Sequence, residues 1–144
     1  MQIKDVMTPG VECTQPSATL REAAQKMRDL DVGPLPVCGD DERLAGMITD
    51  RDITVRAVAE GRDPGTTLVR DVMTPKVIYC FEDQDVSEAA RLMEENQVRR
   101  VVVLNDQKRL VGILSLGDLA VDVGDEQLAG HTLEAVSEPA APRR

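Results

Sequence analysis

Residues 46–52 read GMITDRD, and residues 112–118 read GILSLGD. Each stretch runs from a glycine through apolar residues to a hydroxyl (Thr49, Ser115), and three positions later reaches an aspartate (Asp52, Asp118). An apolar run that stops at Ser or Thr, with an acidic residue three further on, predicts a strand handing over to a helix whose N-cap is the hydroxyl residue. The same handover, written twice at an offset of sixty-six residues, decides how the rest of the chain is read.

Sliding the chain on itself by that offset lays KDVMTPGV (4–11) over RDVMTPKV (70–77), and the register continues without a gap to Ile53 over Leu119. Self-similarity at a fixed period marks a repeat architecture. Within each copy Leu20, Ala23, Ala24 and Met27, or Val86, Ala89, Ala90 and Met93, follow the i, i+3, i+4, i+7 spacing of one apolar helix stripe. Thr19 with Glu22, and Asp85 with Glu88, predict the starts of these helices.

Next come Leu35–Cys38 and Leu44–Ile48 around a polar turn, and in the second copy Val101–Leu104 and Leu110–Leu114, two short hairpins. A second helix is expected over 50–60, stopped by Gly61, with its counterpart starting near Leu116. The predicted fold class is α+β: two β-α-β-β-α repeats, each too small to bury a sheet face alone, packed about a pseudo-two-fold. The expected divisions are 1–62 for the first repeat, 63–66 for a linker, 67–124 for the second repeat, and 125–144 for a C-terminal helix and an unstructured tail.

Composition narrows the function. The net charge of −9 opposes attraction to phosphate backbones, so nucleic acid is not an expected partner. No apolar run reaches the ~18–20 residues of a membrane span, and the N-terminus lacks an apolar leader core, so the cytoplasm is expected and a membrane is not. Aromatic residues make up 1% of the chain, so the core is aliphatic. Cys13, Cys38 and Cys80 lack metal spacing; they read as reduced thiols, or, for Cys13 and Cys38 in the strand-like segments of the first repeat, as a disulfide pair.

Two readings of the doubled turn stand side by side. Thr49 and Ser115 are N-caps with an acidic partner and nothing more. Alternatively, free amides at a helix start, a hydroxyl donor, and a glycine (Gly46, Gly112) that admits a close approach together hold an anion, with Asp52 and Asp118 placed to accept from a ribose diol.

The doubled DVMTP, the block LPVCGDDERLAGMITDRD (35–52) and the block VRRVVVLNDQKRLVGILSLGD (98–118) resemble a tandem pair of CBS domains, a Bateman module, over about residues 3–123. The likeness is greatest to free-standing bacterial pairs of the hypoxic- and stress-response type. It implies a regulatory ligand of the adenosine class (AMP, ADP, ATP or S-adenosylmethionine), no obligatory cofactor, a homodimer, and a protein target that the sequence does not name.

The family's ribose-phosphate motif falls on Gly46, Thr49 and Asp52, and again on Gly112, Ser115 and Asp118. By the same resemblance the base lies against Val11 to Cys13 with Leu35 to Val37, and against Val77 to Tyr79 with Val101 to Val103. Arg99 and Arg100 supply cations for a phosphate in the second copy, where the first has Gly33 and Pro34; Arg51 and Arg56 are further cations, equally readable as solvated helix charges. Met27, Met93, Ile53 and Leu119 are either dimer contacts or core.

A catalytic role has little support. His131, the one histidine, lies beyond both repeats, and there is no phosphate-binding loop, nucleophile elbow or metal-ligand cluster. Two functions remain: a nucleotide sensor acting by ligand-linked conformational change, or a ligand-free interaction dimer that Cys13 and Cys38 make responsive to oxidation.

Overall fold

The computed structural model describes residues 1–122 and 124–138; of the 125–144 segment expected to form a helix and an unstructured tail, 139–144 lie outside the described residues. The chain is α+β and separates into two compact units. One is continuous, Glu12–Val77; the other joins Met1–Val11 to the chain from Ile78 onward. These units are not the sequence repeats, because the opening segment of each repeat is built into the unit of the other.

The continuous unit begins with Thr14, whose backbone pairs in parallel with Val37. Helix α1 (Leu20–Leu30) follows, capped by Thr19 Oγ1 accepting from the Glu22 amide at 3.2 Å. It ends where Asp31 turns left-handed, φ 55°. Its stripe of Leu20, Ala23 and Met27 is buried, as the spacing requires. Strands β2 (Pro34–Cys38) and β3 (Leu44–Thr49) form an antiparallel hairpin with an irregularity at Val37/Cys38.

Helix α2 (Asp50–Asp52) widens at once into a π-helix, Ile53–Val58, with the Ala59 amide reaching back five residues to Thr54 O at 2.9 Å. Gly61, at φ +75°, closes the segment, at the position expected for the stop. On the outer side of β3, Met47 and Thr74 exchange backbone bonds of 2.9 and 2.8 Å.

The other unit repeats this plan. Its sheet runs β1 (Thr8–Pro9), β6 (Leu110–Ser115), β5 (Arg100–Leu104), β4 (Tyr79–Phe81), with β4 parallel to β5 and the remaining pairs antiparallel. Helix α3 (Val86–Asn96) is capped by Asp85, which accepts from Ser87 rather than from the expected Glu88. Helices α4 (Leu116–Asp122) and α5 (Glu126–Ser137) complete the unit.

Each unit has its own aliphatic core. Ile3, Val6, Ala89, Met93, Leu114 and Leu119 belong to one, and Leu20, Ala23, Met27, Val37, Ile48 and Val69 to the other. Burial on this scale is what stabilises units of this size, at roughly 25 cal/mol per Å² of apolar surface. Met27, Met93 and Leu119 are therefore core, and Ile53 packs partly against it, so the dimer alternative for these four gives way to packing.

One expectation shifts in register. The segments that the resemblance sets against the base, Val11 to Cys13 and Val77 to Tyr79, lie just ahead of the paired backbone, which occurs at Thr14 and at Tyr79–Phe81. Val11 and Val77 are the last residues before the chain leaves one unit for the other, and their backbone serves the passage instead of a ladder.

Candidate functional site

Both strand-to-helix turns close as reciprocal capping boxes. Thr49 Oγ1 accepts from the Asp52 amide at 3.0 Å while Asp52 Oδ2 accepts from the Thr49 amide at 3.0 Å. Ser115 and Asp118 repeat this at 3.0 and 2.9 Å. The capping reading is thus realised at both turns. Each hydroxyl keeps its own O–H to donate, and each aspartate keeps Oδ1 outside the box.

The two glycines also have a structural explanation. A Cβ built on Gly46 would stand 2.7 Å from Thr74 O, and one on Gly112 the same distance from Thr8 O. The close approach foreseen at these positions is that of a backbone, the DVMTP segment of the opposite repeat. These glycines position the strand end; what they admit is protein.

The turns differ in what surrounds their amides. In the first copy the Asp50 amide donates to Gly33 O at 3.0 Å, the Arg51 amide to Asp50 Oδ1 at 2.9 Å, and the Asp52 amide to Thr49. The Asp50 carboxylate also lies within 3.2 Å of the place a Gly33 Cβ would occupy. The exposed Asp50 carboxylate thus occupies this helix start, and its charge disfavours a second anion there. Arg56 is engaged nearby, its Nη1 donating to Val72 O at 3.2 Å and its Nε 3.9 Å from Asp52 Oδ1. Arg51 is exposed.

The second copy has Leu116 where the first has Asp50, and Arg99-Arg100 where the first has Gly33-Pro34. The Leu116 amide bonds Arg99 O at 2.8 Å, and Arg100 stands directly across the ladder from Ser115. Arg99, Arg100, Ser115, Leu116 and Gly117 line a cavity of about 490 Å³ whose remaining walls come from α4 and α5. Among the described residues neither guanidinium has an ion-pair partner, although acidic residues outnumber basic ones 26 to 17. Two guanidiniums without an ion-pair partner among the described residues are chemically suited to an anion.

The other predicted residues are placed differently. Asp118 and Gly112 do not line that cavity, and Leu35, Val37, Val101 and Val103 point their side chains into the two cores. Val11 and Val77 are half-buried, while Tyr79 is exposed, edge-on to Phe81 with ring centres 5.8 Å apart. His131 is exposed on α5, with Nε2 3.7 Å from Glu94 Oε1. The part played by α5 carried no sequence signal beyond its helical pattern.

A second cavity, about 570 Å³, lies in the continuous unit and is lined by Cys13, Cys38, Glu22, Lys26 and the acidic turn Asp40–Glu42. All three cysteines are free thiols. Burial holds the Cys38 thiol up at about 12, and the neighbouring Cys13 adds to it. Lys26 Nζ donates to Cys13 O at 2.8 Å.

Two swapped-segment units, one built on the β2–β3 hairpin and the other on a four-stranded sheet, each with a capped strand-to-helix turn, define a tandem CBS pair. The chain belongs to the CBS domain family, whose profile matches residues 3–58 and 69–123. Over 138 residues it is 40% identical to Hypoxic response protein 1 of Mycobacterium tuberculosis, spanning 96% of this chain and 95% of that protein. Its fold is similar to the crystal structure of Hypoxic Response Protein I with two coordinated zinc ions (TM-score 0.77, 43% identity, 85% of this chain, 98% of that one). It is similar as well to CBSX2 in complex with AMP (TM-score 0.73, 25% identity, 88% and 98%). A further likeness is to the CBS domain pair of protein MJ0100 in complex with 5-methylthioadenosine and S-adenosyl-L-methionine (TM-score 0.73, 27% identity, 83% and 97%). Among the described residues, no group of three or more His, Cys, Asp or Glu is arranged to hold a metal, and no helix is long and apolar enough to cross a membrane.

Proposed function

We propose that this protein is a non-catalytic regulatory module that binds a phosphate-bearing adenosine ligand at the second-repeat turn. The observation that carries the reading is the Arg99-Arg100 couple, without an ion-pair partner among the described residues, sharing a cavity with Ser115. AMP in CBSX2 and the adenosine derivatives in MJ0100 support the ligand class. Two guanidiniums favour AMP, ADP or ATP over S-adenosylmethionine, which brings a sulfonium and no phosphate. The first-repeat turn, filled by Asp50, binds no anion, so one ligand enters per chain. Regulation follows if the bound and free chains differ in arrangement, since a ligand moves an equilibrium only by its differential affinity.

The test is a melting series with AMP, ADP, ATP and S-adenosylmethionine. A ligand at 100 times its Kd stabilises the native state by about 2.7 kcal/mol, a shift of several degrees. Arg99→Ala/Arg100→Ala should abolish that shift. Absence of a shift with all four ligands rejects the reading.

A second reading rests on the Cys13–Cys38 cavity: a ligand-free interaction dimer that responds to a disulfide oxidant. The half-buried Cys13 thiolate attacks one sulfur of a small disulfide, expelling a thiolate. Cys38, deprotonated in the step, displaces the second, so two protein thiols are oxidised and the reagent is reduced to two thiols. Non-reducing peptide mapping after treatment with hydroxyethyl disulfide should recover the Cys13–Cys38 link. A stable mixed adduct on Cys13 in the intact protein would refute it.

A further inference from the structure

Helix α5 lies beyond both stretches that match the family, and it is held firmly by one face. Leu128 packs on the core, while Thr132 and Val136, one and two turns on, are buried. Thr132 Oγ1 shares its proton between Leu128 O at 2.7 Å and Glu94 Oε1 at 3.3 Å. At the far end Gln97, the residue that closes α3, donates its side-chain amide to Ala135 O and Glu138 O at 3.4 and 3.0 Å. These contacts fix the rotation of the helix about its axis.

That rotation turns Ala129, Gly130 and Leu133 toward the arginine cavity. Leu133 is left 47% exposed, a large apolar side chain that the fold does not use. Gly130 beside it leaves a flat floor, since a Cβ built there meets no heavy atom within 4 Å. A glycine inside a helix costs about 1 kcal/mol relative to alanine, so its value here lies in the space it leaves. The volume of about 490 Å³ falls in the range of small-molecule pockets.

We infer that α5 is a specificity-determining wall of the second unit's ligand site: a molecule with an anionic phosphate end and a flat apolar end sets the phosphate on Arg99 and Arg100 and lays the flat part over Gly130 against Leu133. The ligand class rests on the reading above, whereas the role of α5 is a separate claim.

Calorimetric titration of the full chain with AMP and with 1-naphthyl phosphate tests it. Gly130→Leu fills the floor without a backbone clash and favours the helix; it should weaken binding by about tenfold or more, the scale of a misfitting group in a pocket. Leu133→Glu, on a half-exposed position, places a carboxylate by the arginines and should do the same if Gly130→Leu does not fold. AMP binding that both variants leave unchanged overturns the wall and spares the nucleotide reading. Naphthyl phosphate binding that both variants abolish, with no AMP binding, sustains the wall and rejects the nucleotide. No binding by either probe overturns both.

Discussion

Gly112 lies directly under Thr8: the carbonyl oxygen of the threonine stands 2.7 Å from where a Cβ on the glycine would be, with Met7 Sδ at 2.8 Å. A residue in the second hairpin is therefore glycine because a segment from the far end of the chain crosses it. Gly112→Ala must move backbone in a closed ladder and should cost about 1–3 kcal/mol, the usual range for overpacking. Gly46→Ala, against Thr74 O at the same separation, should cost as much. Gly39→Ala, which meets nothing within 4 Å, is the control. Urea midpoints for the three variants check this, and equal midpoints would refute the close approach.

The exchange makes the first residues part of a distant core. Ile3 is fully buried, its amide bonds Gln84 O at 2.9 Å, and Val86 donates to Met1 O at 3.0 Å. Ile3→Ala should destabilise by about 2–5 kcal/mol. Hydrogen exchange should locate the loss in β4–β6 and α3, with β2 and β3 still protected. Equal loss in both hairpins contradicts the assignment.

Asp50 is predicted to keep anions out of the first turn. Replacing it with the residue of the other copy, Asp50→Leu, together with Pro34→Arg, puts a cation opposite Thr49 in the register that Arg100 holds opposite Ser115. Titration with AMP should rise from one ligand per chain to two. A stoichiometry that stays at one removes Asp50 from this role.

The buried thiols predict an alkaline limit. Burial, with Glu88 adding to it, raises Cys80 from 9.0 to about 12. Below pH 9 the thiol is protonated folded and unfolded, and its contribution is fully present. Above that value the unfolded chain ionises first, so stability falls as pH rises toward 12, by at most ~1.4 kcal/mol per pH unit for one group. Urea midpoints at about pH 8 and pH 10.5 should drop less in Cys80→Ala than in the unaltered protein. An unchanged drop assigns the alkaline loss to other groups.

Much of the fold was legible because the duplication is ungapped. Thr19 and Asp85 cap the helices expected of them, and the hairpins fall within a residue of their expected ends. The exchange of segments was not legible, for a physical reason: DVMTP occurs identically at 5–9 and 71–75, so either copy satisfies either hairpin. The widening of α2 at Ile53 left no trace in a pattern of period 3.6. At the site, the arginines could be named from sequence, since Gly33 and Pro34 stand opposite them in the repeat. That Asp50 folds back over its own turn could not, because a carboxylate at a helix start reads equally well as a favourable dipole partner.

Because the unit spanning Glu12–Val77 is uninterrupted, it holds all its strands as soon as residue 77 leaves the ribosome. The opening eleven residues cannot settle then; Thr8 has to await Ile113, more than a hundred positions later. Long-range closure of that kind is slow to nucleate, so synthesis produces a finished half carrying a loose leading strand until the trailing half arrives.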